Sequence, residues 1–197
     1  MRHVVRMEAQ PGWKRARIYS VGHSTRSLVA FIALLRSHDI KVVADVRSLP
    51  GSRAMPQFNR EVLERMLPLA GIEYVHLPKL GGRRRTRKDS TNTGWRHPSF
   101  RGYADFMQTK EFSDGLEELR GVARRGPVAL LCAEAVRWRC HRTLIADALF
   151  ARGVIVQHIE SATRVKPHEP TPFARFHGTE VGYPPPTEDR DEPAPAP

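Results

Sequence analysis

The stretch Val128-Ala129-Leu130-Leu131-Cys132, followed directly by Ala133-Glu134, decides the fold. Its unbroken apolar run is typical of a strand that is buried on both faces, as in a parallel sheet. Four other runs share this character and contain β-branched or aromatic residues. They are Ile18–Val21, Val42–Val46, Tyr74–Leu77 and Val154–Ile159. Together the runs predict a five-stranded, mainly parallel sheet.

Helical periodicity occupies the segments between these runs. Apolar residues spaced i, i+3, i+4 and i+7 predict helices around residues 28–35, 63–70, 112–119 and 144–149. Thr109 is the expected N-cap of the third helix, and Gly71 is expected just after the second. Strands that alternate with helices require right-handed crossovers. The predicted fold is therefore α/β, a single doubly wound, Rossmann-like domain with helices on both faces of the sheet.

Composition divides the chain around this domain. With 197 residues, 40% of them hydrophobic, the chain suits one domain with a sizeable core. Residues 1–16 are a basic N-terminal arm, and residues 17–164 hold the α/β domain. Residues 78–102 form a long basic insertion after the third strand. Residues 165–197 are rich in proline and end in an acidic alanine-proline stretch, which predicts a disordered tail.

The charge favours an anionic partner. The formal net charge of +11, carried mostly by arginine, fits a nucleotide, DNA, RNA or another phosphorylated compound. The alternative is that an arginine-rich genome uses arginine where others use lysine. No apolar run is long enough to span a bilayer, so no membrane partner is expected. Two cysteines make no disulfide framework, and residues 1–17 lack the apolar segment of a secretory signal, so we expect a cytoplasmic location. The oligomeric state is left open.

Polar, titratable or glycine residues follow four of the predicted strands. The carboxyl ends of parallel strands meet at one edge, where ligands bind in open α/β sheets, so we expect these residues to converge. They are Gly22, His23 and Ser24; Asp45 and Arg47; Gly81, Gly82, Arg83, Arg84 and Arg85; and Cys132, Glu134, Arg139, Cys140, His141 and Arg142. The same residues could instead have structural roles only. Ser24 could cap a turn, Asp45 and Arg47 could form an ion pair, Gly81 and Gly82 could form a turn, and the arginine run could be a solvated basic loop.

Cys132 is the most informative of these residues. Nearby arginines and the N-terminus of the following helix favour the thiolate, so Cys132 is a candidate nucleophile with a depressed pKa. The layout resembles the anion-binding loops of cysteine phosphatases and sulfurtransferases. However, Trp138 stands where those phosphatases require arginine. The structural alternative is that Cys132 is a small buried hydrophobe.

Two further interpretations concern the same segment. Glu134 is a candidate general base, or a stabiliser of a cationic, sugar-like transition state. Cys132, Cys140 and His141, with His23 as a further candidate ligand, could bind zinc. The spacing lacks a short C-x-x-C pair, so no cofactor is predicted and zinc is kept as the alternative.

These segments together resemble a known family, the bacterial and archaeal proteins catalogued as domain of unknown function 488. The resemblance covers about residues 17–160 and implies a compact α/β fold without a settled reaction. It is carried by Tyr19–Ser24, Asp45-Val46-Arg47, Pro56–Asn59, Gly71–Tyr74, Leu80-Gly81-Gly82, Cys132-Ala133-Glu134 and Cys140-His141-Arg142.

The leading functional hypothesis is an enzyme, a hydrolase or transferase, acting on a phosphate-bearing substrate, foremost a nucleotide or nucleic acid. Its catalytic groups would be His23, Asp45, Cys132, Glu134 and His141; its anion-binding groups would be Ser24, Arg47, Gly81, Gly82, Arg139 and Arg142. The first alternative is a non-catalytic nucleic-acid-binding accessory protein, which would use Arg83, Arg84 and Arg85 for phosphates and Trp95 for base stacking. The second alternative is a cysteine-based sulfurtransferase or phosphatase.

Overall fold

The computed structural model describes residues 9–185, so residues 1–8 of the arm and residues 186–197 of the tail lie outside the description. In chain order the strands of the main sheet are β1 (Ile18–Gly22), β2 (Val42–Asp45), β3 (Glu73–His76), β4 (Val128–Cys132), β5 (Gln157–Ile159) and β6 (Val165–Pro167). Their spatial order is β3-β2-β4-β1-β5-β6. The first five strands run parallel, as predicted, and β6 pairs antiparallel with β5.

Helices cover both faces of this sheet. On one face α1 (Leu28–Arg36) and α2 (Arg60–Leu69) pack on Val43, Ala129 and Leu131. On the other face α3 (Pro98–Phe106), α4 (Lys110–Ala123) and α5 (Arg142–Phe150) pack on Val42, Val128 and Leu130. This alternation along each strand is expected of a sheet buried on both faces. None of the described helices has the length and apolar character that crossing a bilayer requires.

The prediction of a disordered tail from residue 165 is wrong for residues 165–185. This part of the chain forms β6 and a hairpin of β7 (Arg175–His177) and β8 (Glu180–Gly182). Buried Asp147 on α5 holds it in place. Its carboxylate accepts hydrogen bonds from the Thr171 amide and hydroxyl and from the Tyr183 hydroxyl. Proline content alone could not reveal this long-range attachment.

Two histidines extend the same network. His168 donates from Nε2 to Asp147 at 3.0 Å, which leaves His168 Nδ1 as an acceptor for His158 Nε2, also at 3.0 Å. We call Asp147, His158, His168, Thr171 and Tyr183 the Asp147 network. All five side chains are buried. Since Asp147 uses both oxygens twice, the network joins α5, β5 and the tail without an open acceptor on the carboxylate.

The 78–102 insertion is folded rather than free. Its last residues form the start of α3, with Pro98 at the first helical position. Asn92 is 1% exposed; it donates to Asp105 and accepts from the Tyr183 amide. Trp95 stacks on Phe100 and packs against Phe173 and Tyr183. The insertion, whose order the sequence left open, therefore packs against the tail, which was expected to be disordered.

Candidate active site

The carboxyl ends of three adjacent strands form one cleft. The register places Gly22 of β1 beside Cys132 of β4, and Asp45 of β2 beside Leu131 of β4. The cleft has a volume of about 640 Å³. Its lining includes His23, Ser24, Thr25, Arg47, Ser48, Leu49, Gly51, Ser52, Met55, Gly82, Arg83, Cys132, Ala133, Glu134, Ala135 and His141. The predicted convergence of strand-end residues therefore holds for half of the predicted set, eight of sixteen residues.

Gly22 allows the loop after β4 to cross the end of β1. A Cβ atom at this position would lie 2.1 Å from the Glu134 carbonyl oxygen. The same crossing is held by backbone hydrogen bonds from His23 to Cys132 and from Ser24 to Ala133, each 3.0 Å long. A side chain at position 22 would push this loop away from the cleft.

Cys132, Cys140 and His141 form a compact cluster at the back of the cleft, which we call the thiol–imidazole cluster. Their sulfur and nitrogen ligand atoms all lie within 4.8 Å of one another. Both cysteines are free; Cys132 is half-buried and Cys140 is buried. His141 Nε2 donates to the Val46 carbonyl at 2.9 Å, because a carbonyl can only accept. His141 Nδ1 therefore carries the lone pair, 3.7 Å from Cys140 Sγ.

Arg142 holds this cluster from behind. Its guanidinium is 1% exposed and donates from Nε to Cys140 Sγ at 3.2 Å and from Nη1 to Ser20 Oγ at 3.1 Å. Its Nη2 donates to the Glu134 carbonyl. Arg142 is absent from the cleft lining, so it positions the loop and the thiol rather than binding a substrate in the cleft.

The contacts of the cysteine pair favour the thiolate form of Cys140 over that of Cys132. A hydrogen bond from Cys132, with help from the Arg142 charge, lowers the pKa of Cys140 to about 6. The hydrogen bond to Cys140, together with burial, raises the pKa of Cys132 to about 12. This shift is opposite to the depressed pKa expected from the sequence, because Cys132 donates to Cys140 and is itself largely buried.

Arg47 lines the cleft in a fixed orientation. Its Nε donates to Asp45 Oδ1 at 2.8 Å, and its Nη2 donates to Asp45 Oδ2 and to the Phe58 carbonyl. Asp45 is fully buried, also accepts from the Tyr74 hydroxyl, and lies outside the cleft lining. The predicted catalytic Asp45 is therefore placed as the residue that positions Arg47.

His23 is the buried base-like group of the cleft. It is 3% exposed and stacks on Phe58 with ring centroids 4.1 Å apart. Its Nδ1 donates to the Ser24 carbonyl at 2.9 Å, so Nε2 carries the lone pair, 3.5 Å from Arg47 Nη1. Burial, aided by the Arg47 charge, lowers the pKa of His23. The imidazole is therefore neutral at pH 7 and able to accept a proton.

Backbone strain gathers at this cleft. Among residues 9–185, three non-glycine residues have a positive φ: Ser24 (50°), Asp39 (52°) and Arg83 (60°). Ser24 and Arg83 both line the cleft. Such conformations cost of order 1 kcal/mol or more and cluster at functional sites.

The remaining predicted residues divide into cleft and non-cleft positions. Gly82 and the exposed Glu134 line the cleft, whereas Gly81 packs against Ser48, whose Oγ would lie 2.5 Å from a Cβ there. Arg139 and Arg85 are exposed and outside the lining. Arg84 stacks on Phe106 and pairs with Glu111.

Trp95 is half-buried among aromatic rings, which leaves no free stacking face of the kind the nucleic-acid-binding alternative needs.

Three supporting residues were not predicted as site residues, although Phe58 lies in the Pro56–Asn59 segment of the family resemblance. His76 donates to the Arg47 carbonyl at 2.8 Å, Ser48 donates to the Gly82 carbonyl at 2.6 Å, and Phe58 stacks on His23. Ser48 directly follows the Asp45-Val46-Arg47 segment, so its position was the one signal that the sequence offered. The contacts of His76 and Phe58 depend on tertiary packing.

Together these features define an α/β domain with a thiol–imidazole cluster in a cleft at the carboxyl ends of parallel strands. The chain belongs to the family described as domain of unknown function DUF488, whose model matches residues 27–149. The match includes Arg47 and the whole thiol–imidazole cluster, and it begins after His23. Comparisons with curated proteins and with solved structures found no match.

Proposed function

We propose that this protein is an enzyme that acts on a phosphate-bearing substrate, foremost a nucleotide or nucleic acid, in the cleft. One observation carries the proposal: Cys132 and His141 of the thiol–imidazole cluster line the same cavity as buried His23 and the fixed Arg47. Clefts that combine perturbed titratable groups with hydrogen-bond donors are typical of active sites.

The donors around the cleft suit an anionic group. Asp45 engages Nε and Nη2 of Arg47, so Arg47 is preorganised and its Nη1 remains on the His23 side. Asp45 balances the Arg47 charge, and exposed Glu134 lies in the same lining as exposed Arg83, so Arg83 is the guanidinium at the cleft that would bind an anion. The +11 charge of the chain would attract such substrates over a longer range.

His23 supplies the acid–base function in this proposal. Its Nε2 accepts the proton of a water or hydroxyl nucleophile, and the hydrogen bond from Nδ1 to Ser24 holds the ring in place. The proton taken up by His23 would then pass to the leaving group, and Glu134 lies at the exposed side of the cleft, where it would contact the substrate. A cysteine-phosphatase mechanism is less well supported, because exposed Trp138 occupies the position of its essential arginine. The two free thiols suit a reducing compartment, so we place the reaction in the cytoplasm.

The test combines a substrate panel with matched variants. Nucleoside mono-, di- and triphosphates, phosphate monoesters and labelled oligonucleotides are assayed for binding and for turnover. Arg83→Gln should weaken binding of the active compound about tenfold, the scale of one charge-assisted contact. Arg85→Gln removes the same charge from the same loop but outside the cleft, and it should leave binding within about twofold. His23→Gln should lower turnover by roughly 100-fold or more with little change in binding.

Two outcomes would overturn the proposal. One is the absence of binding and turnover across the panel. The other is oligonucleotide binding that Arg85→Gln weakens as much as Arg83→Gln, with no turnover, which would support the non-catalytic accessory protein.

A further inference from the structure

The thiol–imidazole cluster has the donor set and spacing of a metal site. Thiolate sulfur and imidazole nitrogen favour zinc-class ions over magnesium or calcium. In a tetrahedral zinc site, metal–ligand distances of about 2.0–2.3 Å place ligand atoms roughly 3.5–3.8 Å apart. Cys140 Sγ and His141 Nδ1 are already 3.7 Å apart, and Cys132 completes a set within 4.8 Å. Side-chain rotations that move the ligand atoms by less than about 1 Å would therefore bring all three atoms to bonding distance of one ion.

The surrounding hydrogen bonds orient these ligands as metal sites require. A ligating histidine usually donates its other N–H to a carbonyl or carboxylate. His141 does so through Nε2 to the Val46 carbonyl, which leaves Nδ1 for an ion. Cys140 is a hydrogen-bond acceptor for Arg142 Nε at 3.2 Å, as a ligating thiolate would be. Two thiolates would also balance the charge of a divalent ion.

The cluster is open on one side. Among residues 9–185, the set contains three ligands, and neither His23 nor Glu134 belongs to it. Structural zinc sites usually have four protein ligands, whereas catalytic ones keep a position for water or substrate. Cys132 and His141 both line the cleft, so the fourth position would lie on the cleft side.

We propose that Cys132, Cys140 and His141 bind one zinc-class divalent ion with an exchangeable fourth position facing the cleft. An ion there would lower the pKa of a bound water or polarise a phosphoryl oxygen. This inference concerns the same site as the proposed function, but metal binding can be measured without any substrate.

The first experiment uses the full chain and metal ions alone. After dialysis against a chelator and then metal-free buffer, the protein is titrated with Zn²⁺ by calorimetry and with Co²⁺ by absorption spectroscopy. We expect one ion per chain and, with Co²⁺, a thiolate-to-metal charge-transfer band together with the intense visible bands of a tetrahedral site. The band identifies cysteine ligation, which binding to surface histidines would not produce.

Matched variants assign the ligands. Cys132→Ser, Cys140→Ser and His141→Gln should each weaken zinc binding by more than the roughly 10- to 100-fold that loss of an outer hydrogen-bond partner costs. His177→Gln removes an exposed histidine of β7 and should leave the affinity unchanged. Circular dichroism verifies folding; if buried Cys140→Ser does not fold, half-buried Cys132→Ser carries the test.

The results separate the two proposals. No charge-transfer band, or unchanged zinc affinity in folded Cys132→Ser and His141→Gln, would overturn the metal site. Substrate binding that persists without any metal uptake would overturn the metal site alone. Zinc binding without any activity across the substrate panel would support the site and count against the proposed function.

Discussion

Two of the buried polar clusters within residues 9–185 differ in the length of their hydrogen bonds. In the Asp147 network, the carboxylate accepts four hydrogen bonds and the tail covers it from solvent. In the cleft the contacts are longer: His23 Nε2 lies 3.5 Å from Arg47 Nη1, and His141 Nδ1 lies 3.7 Å from Cys140 Sγ. Short hydrogen bonds within a buried network stabilise a fold, whereas a buried polar atom without a partner, such as His158 Nδ1, costs roughly 1–3 kcal/mol. Polar burial alone therefore does not mark a site; weakly bonded acceptors that line a cleft with other titratable groups indicate one.

The largest expected effect is on the Asp147 network. Asp147→Ala removes the acceptor of Thr171, Tyr183 and His168, and it should lower the free energy of unfolding by about 3–5 kcal/mol. Urea unfolding followed by circular dichroism measures it. Asp89→Ala, which removes an exposed carboxylate paired with Arg87, is the control and should cost less than about 1 kcal/mol. A loss below about 1 kcal/mol in Asp147→Ala would mean that the network does not hold the tail.

The second prediction concerns the loop after β4, which crosses the end of β1 at Gly22. Gly22→Ala places a Cβ 2.1 Å from the Glu134 carbonyl, so the loop must move, at a cost of about 1–3 kcal/mol. Zinc affinity and substrate binding should fall with it, because the displaced loop carries Cys132 at its start. Gly121→Ala adds the same methyl group within α4, with no atom within 4 Å, and should raise stability by about 0.5–1 kcal/mol. Equal effects of the two substitutions would contradict the crossing described here.

The positions of the strands and their convergence show what the sequence can predict. Strand β4 was predicted to the residue, Val128–Cys132, because its apolar run is continuous and ends at a polar loop. Strand β5 was predicted from Val154 but begins at Gln157, since Val154 and Val156 are buried by core packing outside the strand. Convergence at the strand ends followed from parallel topology alone.

What could not be predicted depends on contacts between distant segments. The Asp147 network joins residues far apart in the chain, so the composition of residues 165–185 suggested disorder. Trp95 looked like an exposed stacking residue because its partners Phe173 and Tyr183 come from that same segment. The lowered pKa of Cys140 depends on its contact with Cys132 and on the side-chain direction of Arg142, and no spacing rule encodes either contact.

The third prediction concerns pH and His158, the residue of the Asp147 network whose Nδ1 has no hydrogen-bond partner. Burial, together with the charges of His168, Arg137 and Arg142, lowers the pKa of His158 to about 3 from an unperturbed 6.5. His158 therefore stays neutral in the folded protein while the unfolded chain takes up a proton below pH 6.5. Stability should fall as the pH drops from about 6.5 towards 3, by up to about 1.4 kcal/mol per pH unit from this group.

Urea unfolding at pH 7.5 and pH 5 tests this sign and size. His158→Gln keeps an N–H for His168 but cannot titrate, so it should remove about 2 kcal/mol of the loss between these pH values. His38→Gln, which changes a histidine whose side chain bonds Ser161 at the exposed surface, is the control and should keep the slope. An unchanged slope in His158→Gln would mean that His158 is protonated in the folded state.

The smallest effect on stability is expected at the mouth of the cleft, where the contrast between the clusters is sharpest. Arg83 has a φ of 60° and its side chain is exposed, so its backbone strain is not repaid by side-chain packing. Arg83→Gly relieves a strain of roughly 1 kcal/mol but adds freedom to the unfolded chain, so stability should change by less than about 1 kcal/mol, in the stabilising direction. Arg83→Gln keeps the strain and should change stability by less than about 0.5 kcal/mol. Both should weaken binding of the cleft's anionic ligand equally, since both remove the same guanidinium. If Arg83→Gly instead lowered stability while Arg83→Gln did not, the positive φ would be a well-tolerated turn rather than strain kept for the cleft.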